Sequence, residues 1–363
     1  MNGVSSCWLL CAVLISLPFS SALAETGWQS PPDDILDVLY APQLPWVWTS
    51  SNGEYMLLTD PVIYPDLQEL ASPMHKLAGM RVDPVLNFTH GRHGGTNPRL
   101  VCVSDGSVVP LDLPPGAEVH GIAFTVDGQS FAMPVSYSDR FTVWVGTVSG
   151  DVQELPGLAL NPLAGRAIQW LPDQERLLVM AIPDRGEVPE PPVIPAGPEI
   201  MEGLGASARS TYEARDLLET AYDDQLFSYF FQSVPLLVNP STGDMEQLAE
   251  PNYYYSIEYS PDGEYILAEY LVEPWSHEVA WWRFAKEIEI WNARGDYLET
   301  VASLPLEDAV PVHGVPEGPR SVIWRETAPH QLFWVEALDG GDPAAEATHR
   351  DRLMKLDAPF SGE

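Results

Sequence analysis

Ser260-Pro261-Asp262-Gly263-Glu264-Tyr265 runs directly into the apolar stretch Ile266-Leu267-Ala268. Asp-Gly supplies the positive φ that a tight turn needs, and alternating apolar residues beside it make the segment a β-hairpin. Four weaker copies occur, at residues 48–58 around Asn52-Gly53, 124–131 around Asp127-Gly128, 170–179 around Asp173-Gln174, and 324–334 between Trp324 and Trp334. Each copy has a downstream companion that reads as a second hairpin, at residues 100–109, 143–152, 236–245, 288–297 and 353–362. Two hairpins make a four-stranded blade, and serial blades are the mark of a β-propeller. The expected fold is all-β, a propeller of about five four-stranded blades. The last companion reaches Glu363 one residue past its turn, so the fifth blade is expected to be incomplete and the chain to be the front portion of something longer.

Composition fits a β-rich globular chain, with 45% hydrophobic residues to fill a core. Fifty-two acidic against 18 basic residues give a formal charge of −34, which repels nucleic acid and anionic membrane surfaces and sets those partners aside. Residues 1–24 have an apolar centre from Cys7 to Pro18 and a small-x-small exit at Ala22-Leu23-Ala24, the pattern of a cleaved signal peptide. The expected location is periplasmic or secreted, with no membrane attachment after cleavage. Of the three cysteines only Cys102 would remain, which excludes an intrachain disulfide and favours a small buried hydrophobe on a strand.

A proline-rich run, residues 189–198, opens an insertion spanning about 186–232 within the third blade. Beyond Gly205 the spacing of Tyr212, Leu217, Leu218, Ala221, Tyr222, Leu226, Phe227 and Phe230 turns helical, predicting one amphipathic helix or two short ones. Its apolar face is expected to cover the propeller or a partner domain; the functional alternative is a substrate gate.

Residues 67–81, Leu-Gln-Glu-Leu-Ala-Ser-Pro-Met-His-Lys-Leu-Ala-Gly-Met-Arg, resemble an early segment of the glutamyl endopeptidase branch of the prolyl oligopeptidase family. Four further blocks agree in order: Pro183-Asp-Arg-Gly-Glu187; residues 211–218 with 222–227; Arg283-Phe-Ala-Lys-Glu-Ile-Glu-Ile-Trp291; and residues 318–325 with 334–343. The resemblance implies a serine peptidase that cleaves after glutamate, in which a propeller restricts access to a C-terminal α/β-hydrolase domain. The family's nucleophile sits in a G-x-S-x-G elbow. No such pentapeptide occurs here. Gly205-Ala-Ser-Ala-Arg209 is the nearest approach, so no catalytic residue is carried over and the hydrolase domain is expected to be absent, leaving it and peptide substrates as the expected partners.

For substrate binding, Arg283 is the leading candidate, with Arg81 behind it, as cations able to meet an acidic peptide; the competing role is pairing with structural carboxylates such as Glu287 or Glu289. His90 and His93 in a glycine-rich loop, and Asp339 with Asp342, read as solvated turns rather than metal sites, so no metal or cofactor is expected. Two rival functions remain: a stand-alone periplasmic propeller that binds protein partners, and a five-bladed glycosidase with carboxylates at the ring centre.

Overall fold

A computed structural model describes residues 30–41, 43–65, 67–163, 165–193 and 215–360. Residues 1–29, which include the leader-like stretch, residues 194–214 of the insertion and the last three residues lie outside them. The chain divides into a short leading unit, Met1–Gln43, and a main unit, Leu44–Glu363. The described part of the leading unit holds α1 (Asp33–Leu39), which carries Asp33 and Asp34 in its first turn, where the helix dipole favours them.

The five first hairpins read from the sequence and four of their companions are present in the main unit; of the fifth companion the described residues show one strand. The first blade contains β1 (Trp46–Thr49) and β2 (Tyr55–Pro61). A detour follows through α2 (Leu67–Leu70) and a small sheet of β3 (His75–Leu77), β4 (Met80–Asp83) and β5 (Phe88–Thr89). The blade then completes with β6 (Gly95–Cys102) and β7 (Val108–Pro110). A two-residue strand, β8 (Glu118–Val119), bridges β6 to the second blade, which consists of β9 (Ala123–Phe124), β10 (Ser130–Ser136), β11 (Phe141–Thr147) and β12 (Val152–Glu154). The third is β13 (Ile168–Trp170), β14 (Leu177–Ala181), β15 (Val234–Val238) and β16 (Met245–Gln247), interrupted after β14 by the insertion and its helix α3 (Ala221–Phe231). The fourth is β17 (Tyr254–Tyr259), β18 (Tyr265–Leu271), β19 (Lys286–Asn292) and β20 (Tyr297–Leu304). The fifth has three strands among the described residues, β21 (Arg320–Trp324), β22 (Gln331–Ala337) and β23 (Asp351–Asp357). Every ladder is antiparallel, as hairpin connections require.

Alternation along the strands explains how the blades stack. Leu177 and Val179 of β14 pack into the cluster shared with Phe141, Val143 and Val145 of the second blade, whereas Leu178 and Met180 face Ile257 and Tyr259 of the fourth. In β18, Ile266 and Ala268 turn toward the third blade and Leu267 toward Trp324 and Leu332 of the fifth. A strand sandwiched on both faces reads as a continuous apolar run, and Leu-Leu-Val-Met-Ala in β14 is buried throughout.

The repeated turns touch one another in series. Asn52 donates to the carbonyl of Asp127 at 2.8 Å, and the Asp127 amide donates to Oε1 of Gln174 at 3.0 Å. Gly263 sits against Pro172, and His330 Nδ1 lies 2.7 Å from Asp262 Oδ2. Tryptophans on the innermost strands repeat the linkage: Trp170 Nε1 donates to the Ala123 carbonyl at 2.9 Å and Trp324 Nε1 to the Glu258 carbonyl at 3.0 Å. Gly53, Gly128 and Gly263 adopt the expected positive φ, and Gln174 takes the same conformation, at φ 60°, where the third copy lacks glycine. Cys102 is free and half-buried on the outer part of the first blade, with Sγ 3.2 Å from Ser104 Oγ, rather than a fully buried core residue.

In an antiparallel meander the first and third turns of a blade leave at one end and the second at the other. The detour β3–β5, the insertion with α3 and the segment around Trp275–Phe284 all fall on second turns, and together they build a separate apolar layer from Leu77, Val82, Phe227, Phe231, Trp275 and Phe284. The helical pattern extends less far than its spacing suggests: Leu217 and Leu218 precede the helix, because Thr220 and Asp223 form a reciprocal capping box that starts α3 at Ala221. Leu218 is nevertheless buried in the layer. The last carbonyls of α3 are met from connecting segments. Asn87 and Asn161 donate to the Phe230 carbonyl, Asn161 also to that of Gln232, and the Arg185 guanidinium to that of Tyr229. A cation at a helix C-terminus suits its dipole. The helix thus packs its apolar face into this layer.

Among the described residues no helix is long and apolar enough to cross a membrane.

Candidate functional site

The innermost strands of all five blades face one open central cavity of about 1380 Å³. Trp48, Phe124, Trp170, Tyr259 and Trp324 each contribute from β1, β9, β13, β17 and β21. The aromatic residues that close each hairpin in sequence therefore form the wall, with the indole N–H groups of Trp170 and Trp324 occupied by neighbouring blades. Arg92, Arg166 and Arg325 add cations to the lining, and Glu258 and Glu326 add carboxylates.

His120 also lines the cavity. Its ring lies between Phe88 and Phe141, at centroid distances of 4.9 and 4.7 Å, and Nε2 is 2.7 Å from Ser136 Oγ. Burial, reinforced by the positive field of Arg92 and His93, pushes the imidazole down to about 4. So weak a base is poorly suited to activating Ser136, itself buried on β10. The other Ser–His pair is Ser72–His90, at 2.9 Å. Among the described residues neither His90 nor His120 has a carboxylate hydrogen-bonded to its second nitrogen, so neither pair forms a catalytic triad.

Arg81 and Arg283 lie outside the central cavity, in the layer on the second-turn side. Arg81 on β4 bonds Asp216 through Nε at 2.8 Å, and Lys76 reaches the same carboxylate at 3.4 Å, which holds Asp216 below the usual carboxylate range. Arg283 closes a 3-10 turn, Trp281–Arg283, whose Trp281 amide donates to the Ala78 carbonyl, so the segments bearing the two arginines meet. Glu287 accepts from Ser303, and Glu289 accepts from Tyr270 and Trp291. The carboxyl of Glu307 is raised by burial, and Lys286 and Arg283 oppose that rise.

The possible metal ligands are engaged elsewhere. His90 bonds Ser72 and His93 faces Glu118 at 3.5 Å, so the two rings serve different partners. Asp339 is held by Arg350 at 2.6 Å, and Asp342 caps the Ala344 amide. Ligand atoms of Asp262, Glu264 and His330 lie within 4.8 Å of one another, but Asp262 already accepts from Ser260 at 2.6 Å and contacts the His330 ring.

No family model matches the chain. It is 32% identical to a probable chloroplastic glutamyl endopeptidase of Oryza sativa subsp. japonica over 359 residues, covering 94% of this chain and 38% of that protein. A probable chloroplastic glutamyl endopeptidase of Arabidopsis thaliana is 31% identical over 356 residues, covering 93% and 37%. The chain is a relative of the glutamyl endopeptidases. It spans a little over a third of the length of the curated relatives it matches. Among solved structures, the propeller domain of the trilobed protease from Pyrococcus furiosus superposes with a TM-score of 0.42 at 11% identity, covering 87% of this chain and 69% of that one. The Pyrococcus horikoshii acylaminoacyl peptidase gives 0.42 at 12% identity, covering 87% and 38%.

The blocks that carry the resemblance concentrate where blades and covering layer meet. Residues 67–81 form α2, β3 and β4; Arg185 supplies the cation at the end of α3; residues 222–227 lie in α3 itself; and Phe284 packs on Phe227. The sequence pattern did not single out Arg92, Arg166 or Arg325, because each sits in a connection or turn without a motif. The one available signal was their scarcity in so acidic a chain.

Proposed function

We propose that this chain is the substrate-gating propeller of an exported glutamyl-endopeptidase-like serine peptidase, acting on peptides together with an α/β-hydrolase domain that holds the nucleophile. The observation that carries this reading is the 31–32% identity to two glutamyl endopeptidases over nearly the whole chain. The open cavity lined by the innermost strands of five blades supports a gating role, since it accepts an extended chain more readily than a folded protein. The lack of a G-x-S-x-G elbow in the sequence supports a non-catalytic part. The leader-like residues 1–24 support export to the periplasm or beyond. Arg283, and after it Arg81, are proposed as cations of the covering layer that meet substrate; Arg81 would have to exchange Asp216 for it.

A glycosidase would need a catalytic carboxylate pair, and Glu258 and Glu326 do line the cavity. The sequence relationship leaves that reading unsupported. Incubating the purified chain with a fluorophosphonate probe, a Glu-containing fluorogenic peptide and an aryl glycoside separates the possibilities. Neither labelling nor turnover is expected, together with measurable binding of the peptide. Covalent labelling of a serine would overturn the non-catalytic assignment, and glycoside hydrolysis would overturn the family reading.

A further inference from the structure

Packing between the fourth and fifth blades is interrupted. Leu267, Ile290, Trp324 and Leu332 hold the two sheets together, but Ile288, Leu304 and Val322 of the same apolar cluster also line a cavity of about 670 Å³. The connection from β20 to β21 adds Leu306 and Val310 to its wall. The volume falls within the roughly 300–1,000 Å³ of small-molecule sites, which combine apolar walls with a few convergent polar groups.

The polar groups of this cavity differ from their counterparts elsewhere in the chain. Of the three lysines, Lys76 and Lys355 have side chains 58% and 63% exposed, whereas that of Lys286 is 10% exposed. Its Nζ lies 3.2 Å from Glu269 Oε1 and 4.0 Å over the Tyr255 ring. A buried ion pair is a poor source of stability, because desolvating both charges offsets their attraction. Glu307 stands beside this pair. Arg81 holds the Asp216 carboxyl, and Gln331 that of Asp357, below the ordinary range; burial pushes that of Glu307 above it, with Lys286 and Arg283 opposing. The Glu307 amide is fixed on the Arg283 carbonyl at 3.0 Å, while its carboxyl accepts no hydrogen bond from the described residues.

Both cations of the lining are already committed, Lys286 to Glu269 and Arg320 to Asp351. An entering anion would have to displace a carboxylate from one of them, and would also meet Glu258 and Glu317. An entering cation needs no such exchange. Burial disfavours the charged form of Glu307, and a positive group brought within about 4–6 Å restores it.

We propose that this interblade cavity binds a ligand carrying a primary ammonium on an apolar chain, with the ammonium on Glu307 and the chain along Ile288, Leu304, Leu306 and Val322. The site shares only Glu258 and Ile323 with the lining of the central cavity and does not depend on the peptide-gating reading.

Calorimetric titration of the full chain with hexylamine, hexanol and hexanoate tests it, since the three share one apolar chain and differ in the head group. Hexylamine should bind about tenfold tighter than hexanol, and hexanoate weakest of all. Glu307→Gln should weaken hexylamine by about tenfold and leave hexanol unchanged, a split that a general loosening of the cavity would not produce. Glu246→Gln, on the outer strand β16, should change neither. If the Glu307 variant does not fold, the three probes on the unmodified chain still decide. Leucyl-leucinamide separates the two sources of an ammonium: binding tighter than that of hexylamine assigns the site to a peptide amino terminus, and weaker binding to a free amine. Equal affinity for hexylamine and hexanol, a preference for hexanoate, or binding of none of the probes would overturn the proposal.

Discussion

Lowering the pH should destabilise the protein through His120 in a defined window. The imidazole is packed between Phe88 and Phe141, and burial together with Arg92 and His93 places its folded-state value at about 4. In the unfolded chain the ordinary value is about 6.5. As pH falls, the unfolded chain therefore takes up the proton first. The neutral, buried ring contributes its full stability above about pH 6.5, loses it progressively toward about pH 4, and changes little below that. At about 1.36 kcal/mol for each pH unit between the two values, the loss is about 3 kcal/mol. Carboxylates titrate over part of the same range, so the comparison is between the natural protein and His120→Gln, each unfolded in urea and followed by tryptophan fluorescence at about pH 7.5 and about pH 4.5. The natural protein should lose about 2–3 kcal/mol more than the variant over that interval. Parallel losses in the two proteins, or a ring proton of His120 titrating near pH 6.5 by NMR, would refute the reasoning.

Two substitutions probe the packing that positions the cavity. Trp324→Phe keeps the ring but removes the donor to the Glu258 carbonyl between the fourth and fifth blades, and should cost about 1–2 kcal/mol in urea unfolding; an unchanged midpoint would show that the linkage is not energetically used. Phe227→Ala removes a fully buried ring stacked on Phe231 at 4.0 Å and in contact with Trp275 and Phe284, so a loss of roughly 3–5 kcal/mol is expected by thermal or urea melting; a loss below about 1 kcal/mol would mean that α3 does not cover the blades.

The hairpins were legible because their physics is local. Gly53, Gly128 and Gly263 supply positive φ between alternating strands, and the third copy, which has no glycine, keeps the turn by placing Gln174 in that conformation. The start of α3 was also written locally, in the capping pair Thr220 and Asp223, but apolar spacing drew the helix back over Leu217 and Leu218, which are buried without being helical. What could not be read are the contacts between distant segments. Asn52 meets Asp127 across 75 residues, Arg81 meets Asp216 across 135, and Arg185 reaches the end of α3 across the insertion. The same limit hid the three cavity arginines. Nothing in a loop sequence tells whether an arginine will pair with one of 52 carboxylates or line a cavity.

The central claim is that peptide is received on the innermost strands of the five blades. Photo-crosslinking a glutamate-rich peptide that carries a diazirine, followed by mass spectrometry, tests it directly. The account predicts adducts on β1, β9, β13, β17 and β21 and the turns beside them, around Trp48, Phe124, Trp170, Tyr259 and Trp324. Adducts confined to the outer strands β7, β12, β16 and β20, or none above the level of a peptide lacking the photoreactive group, would contradict it.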